Sequence, residues 1–217
     1  MNHYPLMTMA LIMTHIRFAL DVKRFFSIQA LRPYISGTVY PDSRWTSGID
    51  RDLTHHPRFL EPGFPTDDFT TGWHLHCLYD ECQKAVHHPL FPHLEQLNRL
   101  DRWIQLSVAK VIQDMNDLQH FNVKQMLKHL DHIETRNGED RDAVKRFYDI
   151  IRETYSREQI PTPGDYEQLW LKVGLNEETV GKLVNQLVRD LESTSLVDAI
   201  QRSHLQVVTA ALSVYTS

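Results

Sequence analysis

The sequence predicts an all-α protein, a multi-helix bundle, from two observations. Apolar residues recur every three or four positions through long stretches of the chain, which is the period of an amphipathic helix. No segment alternates apolar and polar residues in the way a half-buried strand does. At 217 residues, the chain is long enough for one compact domain with a substantial core. We therefore expect helices that pack through their apolar faces, without a sheet.

The first helix is predicted over about residues 9–26, where apolar side chains recur at helical spacing. His15 lies in the middle of its apolar face. A histidine in such a position is commonly a hydrogen-bonded core residue, so a role as a ligand depends on what else approaches it. The next helix is predicted to start at a cap within residues 66–68 and to end before Pro89.

Between these helices, residues 32–65 are predicted to form a long irregular segment. Prolines and glycines such as Pro33, Gly37 and Pro41 interrupt every potential helix there. The segment also carries aromatic and apolar side chains, Trp45 among them. We therefore expect a packed, ordered loop and not a disordered one.

The chain beyond Pro92 is predicted to be helical throughout. The helices expected there cover residues 94–115, 121–133, 143–155, 166–173, 177–192 and 196–215. A Pro-Thr-Pro-Gly run at 161–164 is the clearest linker. The chain accordingly divides into residues 1–92 with the candidate site, 93–160, which complete the same domain, and 161–217, a C-terminal helical segment packed on it.

Composition excludes some classes of protein. The net charge of −5, the pI near 6.2 and the lack of a Lys/Arg cluster argue against a protein that coats nucleic acid. Cys77 and Cys82 lie more than one turn apart on a predicted helix, so we expect no mutual disulfide and a reducing compartment. The apolar run 7–13 is interrupted by His15 and Arg17 too early to span a membrane. A cytoplasmic protein is expected.

A histidine and an aspartate lie four residues apart within the segment 72–81. On a helix, His76 and Asp80 leave the same face along the edge of the apolar stripe. A neutral imidazole and a carboxylate are good ligands for a zinc-like divalent ion. The same edge reaches His87 seven residues later, which makes it a further candidate, whereas His74 faces away from Asp80.

Four motifs occur in the order seen in the zinc-dependent phospholipase C family. They are Thr14-His15 on the first helix, Gly-x-x-x-Pro-Asp at 37–42, Thr54-His55, and Gly-Trp-x-x-His-x-x-x-Asp at 72–80. The chain resembles that family and its uncharacterised relatives over about residues 9–88. The resemblance implies an all-α fold of the phospholipase C or HD-like helical type, with divalent metals that hydrolyse phosphoester bonds.

Position by position, the resemblance implies a set of metal ligands in which the aspartate of the Pro-Asp pair is a plausible bridge between two metals. These ligands are His15, Asp42, His55, His76 and Asp80. The family places its histidine directly after the threonine, which favours His55 over the adjacent His56. The family has a further histidine shortly after the His-x-x-x-Asp pair. His87 or His88 would correspond to it, although the spacing from that pair differs.

The sequence also departs from the family. No His-x-x-x-Glu pair follows His88, although the family uses one on another helix. We therefore expect one or two divalent ions and not three, with zinc favoured and nickel, iron or manganese compatible. The adjacent His-Asp dipeptide that defines the other superfamily of helical metal phosphohydrolases is absent.

The expected activity is metal-dependent hydrolysis, in which a metal-activated water attacks a phosphoester. Asp50 or Asp52 is the candidate general base or orienting residue, and the sequence gives no geometric reason to choose between them. Arg44, Arg51 and Arg58 are the nearest candidates for binding a small anionic or phosphoester substrate.

A different class of protein fits the same residues. In a non-catalytic helical binding or oligomerisation protein, the candidate ligands would hold a structural metal. The amphipathic helices of residues 93–217 would then bind a partner or a second copy of the chain in a homodimer.

Overall fold

The computed structural model describes residues 12–61, 63–157 and 159–215. Within these ranges the chain is helical and contains no strand, so the predicted all-α bundle is confirmed. The α-helices are α1 (Ile12–Val22), α2 (Leu31–Val39), α3 (Arg44–Ser47), α4 (Asp52–His55), α5 (Asp68–His87), α6 (Arg99–Asp117), α7 (Val123–Leu127), α8 (Arg141–Tyr155), α9 (Pro163–Lys172), α10 (Glu177–Leu191) and α11 (Thr194–Ser213).

The first helix differs from its prediction at its C-terminal end. The α-helical part ends at Val22, and a short 3-10 turn covers Lys23–Phe25. The predicted start, residues 9–11, lies outside the described residues. The N-terminal end of α1 is held by Asp114 of α6, whose Oδ1 accepts the backbone N–H groups of Met13 and Thr14 at 2.9 and 3.1 Å. A carboxylate in this position satisfies donors that have no partner within the helix.

The prediction of a wholly irregular segment over 32–65 is wrong for its first part, because α2 occupies Leu31–Val39. Pro33 lies in the first turn of α2, where a missing N–H costs no helical hydrogen bond. Gly37 does not break the helix but allows close packing: a Cβ there would overlap the backbone carbonyl of Phe69 on α5. Short helical turns at Tyr40–Ser43, Arg44–Ser47, Asp52–His55 and Pro57–Leu60 follow within the segment.

Helix α5 lies at the centre of the fold and packs against α1, α2 and α11. Its start is the predicted cap, since the Asp67 side chain accepts the backbone N–H of Thr70 at 2.7 Å and a capping box forms. Gly72 meets α2 at the crossing, where a Cβ would overlap the Tyr34 carbonyl and lie 2.7 Å from the Thr38 nitrogen. The two glycines therefore let the backbones of α2 and α5 approach each other directly.

The later helices follow the predicted order with shifted ends. Helix α6 begins at Arg99, after a short 3-10 turn at Leu94–Gln96, and the predicted helix over 121–133 is α7 followed by another 3-10 turn. Thr162 in the expected linker caps α9, with Pro163 in its first turn. Helix α11 packs against α1, α5 and α6, so the C-terminal segment lies directly on the helices that carry the candidate ligands.

Two further expectations concern the cysteines and the membrane. Cys77 is buried, Cys82 is partly buried, and both are free, as their spacing predicted. Among the helices of the described ranges, none is long and apolar enough to cross a membrane.

The α2–α5 crossing gives a stability prediction. Gly72→Ala is expected to lower the free energy of unfolding by about 3 kcal/mol, because the new methyl group meets rigid backbone. Gly181→Ala on α10 is the matched control, since its Cβ meets nothing within 4 Å. That variant is expected to gain about 0.5 to 1 kcal/mol from helix propensity. Urea unfolding of both variants checks this, and equal effects of the two would contradict the close crossing.

Candidate metal centre

His76 and Asp80 form the α5 side of a buried cluster. The His76 side chain is fully buried, and its Nε2 lies 4.0 Å from Asp80 Oδ2. Its other ring nitrogen, Nδ1, donates to the backbone carbonyl of Thr38 on α2 at 2.8 Å. A hydrogen bond of this kind fixes the tautomer and leaves Nε2 with its lone pair facing the cluster.

His15 reaches the same point from α1. Its ring stacks on the His76 ring with centroids 3.7 Å apart, and its Nε2 lies 3.7 Å from Asp80 Oδ1. Burial, followed by the neighbouring His76, lowers the pKa of His15 well below its ordinary value, so the ring is neutral at pH 7. A neutral imidazole is the form that binds a metal ion.

Asp42 and His55 come from the segment between α2 and α5. Asp42 Oδ2 lies 3.7 Å from His76 Nε2. His55 Nε2 lies 3.8 Å from Asp80 Oδ2 and only 3.1 Å from His76 Nε2. Burial lowers the pKa of His55 well below its ordinary value. Helices α1 and α5 and the short turns between α2 and α5 thus bring together all five ligands that the resemblance implies.

The short distance between His55 and His76 is informative because of their other hydrogen bonds. The Thr54 hydroxyl donates to the Arg51 carbonyl at 3.2 Å, so its oxygen accepts the Nδ1–H of His55 at 2.8 Å. A neutral imidazole carries only one N–H, and His76 uses its own on Thr38. With both rings neutral, the two Nε2 lone pairs face each other at 3.1 Å. Such an arrangement is repulsive unless a proton or a metal cation lies between the two nitrogens.

The spacing of the donor atoms fits an ion held by three of these side chains. Two candidate groups, His15–Asp42–His76 and His55–His76–Asp80, have donor atoms within 4.8 Å of one another, and both use His76. Donors that each lie about 2.1 Å from one ion are separated by at most about 4.2 Å. The Nε2 atom of His76 lies 3.1 Å from His55 Nε2, 3.7 Å from Asp42 Oδ2 and 4.0 Å from Asp80 Oδ2, and these distances fall below that limit.

Two cations flank the carboxylates. Lys110 of α6 donates from Nζ to Asp80 Oδ1 at 2.6 Å, and the Arg44 guanidinium lies 4.0 Å from Asp42 Oδ1. Burial acts to raise the pKa of Asp80, but the Lys110 ammonium outweighs it and holds that pKa well below the ordinary value. Burial raises the pKa of Asp42.

The sequence pointed to Arg44 but not to Lys110. Arg44 is buried, Arg51 is partly buried, and Arg58 is exposed and packs over Phe59. Lys110 is buried between apolar positions of α6. Its position within that buried run was the only feature of the sequence that indicated a special role. Its partner, Asp80, lies 30 residues earlier in the chain.

The structure does not bring the remaining predicted residues into the cluster. Asp50 and Asp52 are exposed, Asp50 Oδ1 accepts the backbone N–H of Asp52 where α4 begins, and neither is among the grouped donor atoms. His87 is buried, but its Nε2 pairs with Ser203 on α11 at 2.9 Å. The seven-residue spacing carries it about two turns beyond Asp80 along α5, away from the donor atoms.

Three neighbouring histidines have other partners. His56 is exposed, and its Nδ1 accepts the backbone N–H of Arg58, which leaves His55 as the cluster residue of the pair. His88 is exposed and pairs with Glu95. His74 is buried, donates to the Phe59 carbonyl at 2.6 Å and contacts Tyr215, away from the cluster as predicted.

Comparisons with protein-family models, with curated proteins and with solved structures found no match. The resemblance to zinc-dependent phospholipase C therefore rests on the order and spacing of the motif residues.

His87 provides a pH prediction for the region beside the cluster. Burial, followed by Lys110, lowers its pKa to about 3. As the pH falls below about 6.5, the unfolded chain takes up a proton that the folded chain refuses, so stability present above that pH is lost. Between pH 7.5 and 5.0 the loss from this residue is about 2 kcal/mol.

Urea unfolding in a chelator checks this with His87→Gln, which cannot titrate in this range but can still pair with Ser203. The wild type is expected to lose about 2 kcal/mol more than the variant between the two pH values. Other titrating groups cancel in this comparison. Parallel losses in the two proteins would contradict the buried, neutral state of His87.

Proposed function

We propose that this protein is a metal-dependent hydrolase that acts on a small phosphoester by means of a metal-activated water. The observation that carries the proposal is the facing pair of His55 and His76 Nε2 lone pairs, which a divalent ion beside them would satisfy. His15, Asp42 and Asp80 complete a set of three imidazoles and two carboxylates. The proposal includes a fold similar to that of the phospholipase C or HD-like helical proteins.

The donor set favours zinc and fits one ion. Neutral imidazoles and carboxylates suit zinc, and nickel, iron or manganese also accept them. A zinc ion bound there would lower the pKa of a coordinated water towards neutrality and so supply the nucleophile. The Thr38 carbonyl and the Thr54 hydroxyl orient the His76 and His55 rings, which is the role of outer partners in metal sites.

Access and charge suggest how a substrate is held. The Asp80 side chain is 14% exposed, whereas those of the other four proposed ligands are at most 3% exposed. Water and substrate would therefore enter on the Asp80 side of the cluster. Lys110 and Arg44 provide positive charge beside the two carboxylates, as binding of a phosphoryl group requires.

Burial also favours a second candidate function. Closed sites with few exposed ligands are typical of structural metals, whereas catalytic sites keep a position open. The near-complete burial of four ligands fits a non-catalytic helical protein that uses the ion for stability. Hydrolysis separates the two functions, because both require the metal and only one turns over a phosphoester.

The first test is the metal content of untagged protein. The wild type is expected to contain about one equivalent of divalent metal by elemental analysis, with affinity lowered about 100-fold or more in His76→Ala. His74→Ala, a buried histidine on the same helix with other partners, is the matched control and should keep its metal. Folding of each variant is verified by circular dichroism. Full occupancy in a His76→Ala/Asp80→Ala double variant would refute the site.

The second test is hydrolysis of chromogenic phosphate mono- and diesters by the metal-loaded protein. Activity is expected in the wild type and in His74→Ala, and loss to background in His76→Ala. A fully loaded protein without activity on either ester would favour the structural-metal function.

A further inference from the structure

Buried polar side-chain atoms without hydrogen-bond partners lie on α5 and α6, close to the candidate metal ligands. Both side-chain polar atoms of Gln83, the hydroxyl of Ser107 and Nδ1 of His87 are shielded from solvent and make no hydrogen bond. All three residues are about 1% exposed. Buried polar groups are nearly always paired with protein, water or a ligand. These unpaired polar atoms therefore indicate a polar occupant in the interior.

These residues lie on the facing sides of α5 and α6. Lys110 on α6 meets Asp80 on α5, and His87 connects through Ser203 to Gln113 of α6. Gln83 lies three residues after Asp80 and four before His87, so it shares their helix face. Ser107 lies one turn before Lys110 on α6. Helices α1 and α11 each pack against both α5 and α6 and flank the region between them.

The charges around the cluster favour an anionic occupant. Without a metal, the Asp42 and Asp80 carboxylates are matched by Arg44 and Lys110. A divalent ion would leave two positive charges uncompensated in a buried site, which is strongly unfavourable. An anion with two negative charges restores the balance, and the ammonium, amide and hydroxyl groups named above can donate to its oxygens.

We propose that Lys110, Gln83 and Ser107 form an oxyanion subsite for a dianionic phosphoryl group, and that this anion and the metal ion bind cooperatively. The proposal rests on the metal site of the proposed function. It narrows the substrate class to phosphate monoesters, with inorganic phosphate as the product that occupies the same place. A diester carries one charge and leaves the site unbalanced.

Cobalt(II) titration, followed by visible absorption of the full-length protein, tests this with inorganic phosphate as the probe. Cobalt accepts the same donors and reports its coordination. Phosphate is expected to tighten cobalt binding to the wild type about tenfold or more. Dimethyl phosphate, a monoanion, should tighten it much less. Lys110→Met should abolish the phosphate effect, whereas Lys145→Met, a change of the same type at an exposed ion pair on α8, should keep it.

A second variant tests the subsite independently of whether Lys110→Met folds. Gln83→Leu removes a buried, unpaired amide while keeping every charge, so the phosphate effect should weaken while thermal stability in a chelator stays the same or rises. Cobalt binding that phosphate leaves unchanged would overturn the subsite and leave the metal site standing. An equal effect of dimethyl phosphate, or a full phosphate effect in Lys110→Met, would also overturn it. Absence of cobalt binding would overturn both the subsite and the metal site.

Discussion

The backbone contact between α2 and α5 determines where the candidate ligands stand. Gly37 and Gly72 have no Cβ, so the two helices meet at distances that any other residue would prevent. The contact places the Thr38 carbonyl 2.8 Å from His76 Nδ1, which orients the ring and directs Nε2 inward. In the turn that follows α2, Asp42 Oδ2 lies 3.7 Å from His76 Nε2. A wider crossing would separate the imidazole from both partners.

The cluster also depends on α1 being fixed at its N-terminal end. Asp114 accepts two backbone N–H groups there, and the hydroxyls of Tyr155 and Tyr166 donate to its other oxygen at 2.7 and 3.1 Å. These contacts join α1, which carries His15, to α6, α8 and α9. The later helices thus contribute to a site whose proposed ligands all lie in the first 80 residues.

Sequence reasoning succeeded where the signal is local and periodic. The helices beyond Pro92 and the capped start of α5 follow from apolar spacing and cap residues, and the pairing of His76 with Asp80 follows from helix geometry. It failed for α2, because Pro33 and Gly37 are helix breakers by local propensity, and only tertiary packing shows why they are tolerated. Asp50 and Asp52 were candidates on proximity in sequence, which does not reveal which side of a short turn faces the interior.

The unpredicted residues are those whose partners are distant in sequence. Lys110 acquires its role from an aspartate on another helix, and Gln83 and Ser107 are notable only because the folded interior leaves them unpaired. The positions of His15, Asp42 and His55 were inferred from motif order, and the fold brings these residues to the edge of α5.

Anomalous diffraction at the zinc edge from crystals of the zinc-loaded protein would locate the metal ion. One strong peak is expected in the cluster, about 2.0 to 2.2 Å from the Nε2 atoms of His55 and His76 and near a carboxylate oxygen of Asp42 or Asp80. A zinc ion bound only elsewhere, or none in this cluster at full loading, would contradict the proposed metal site.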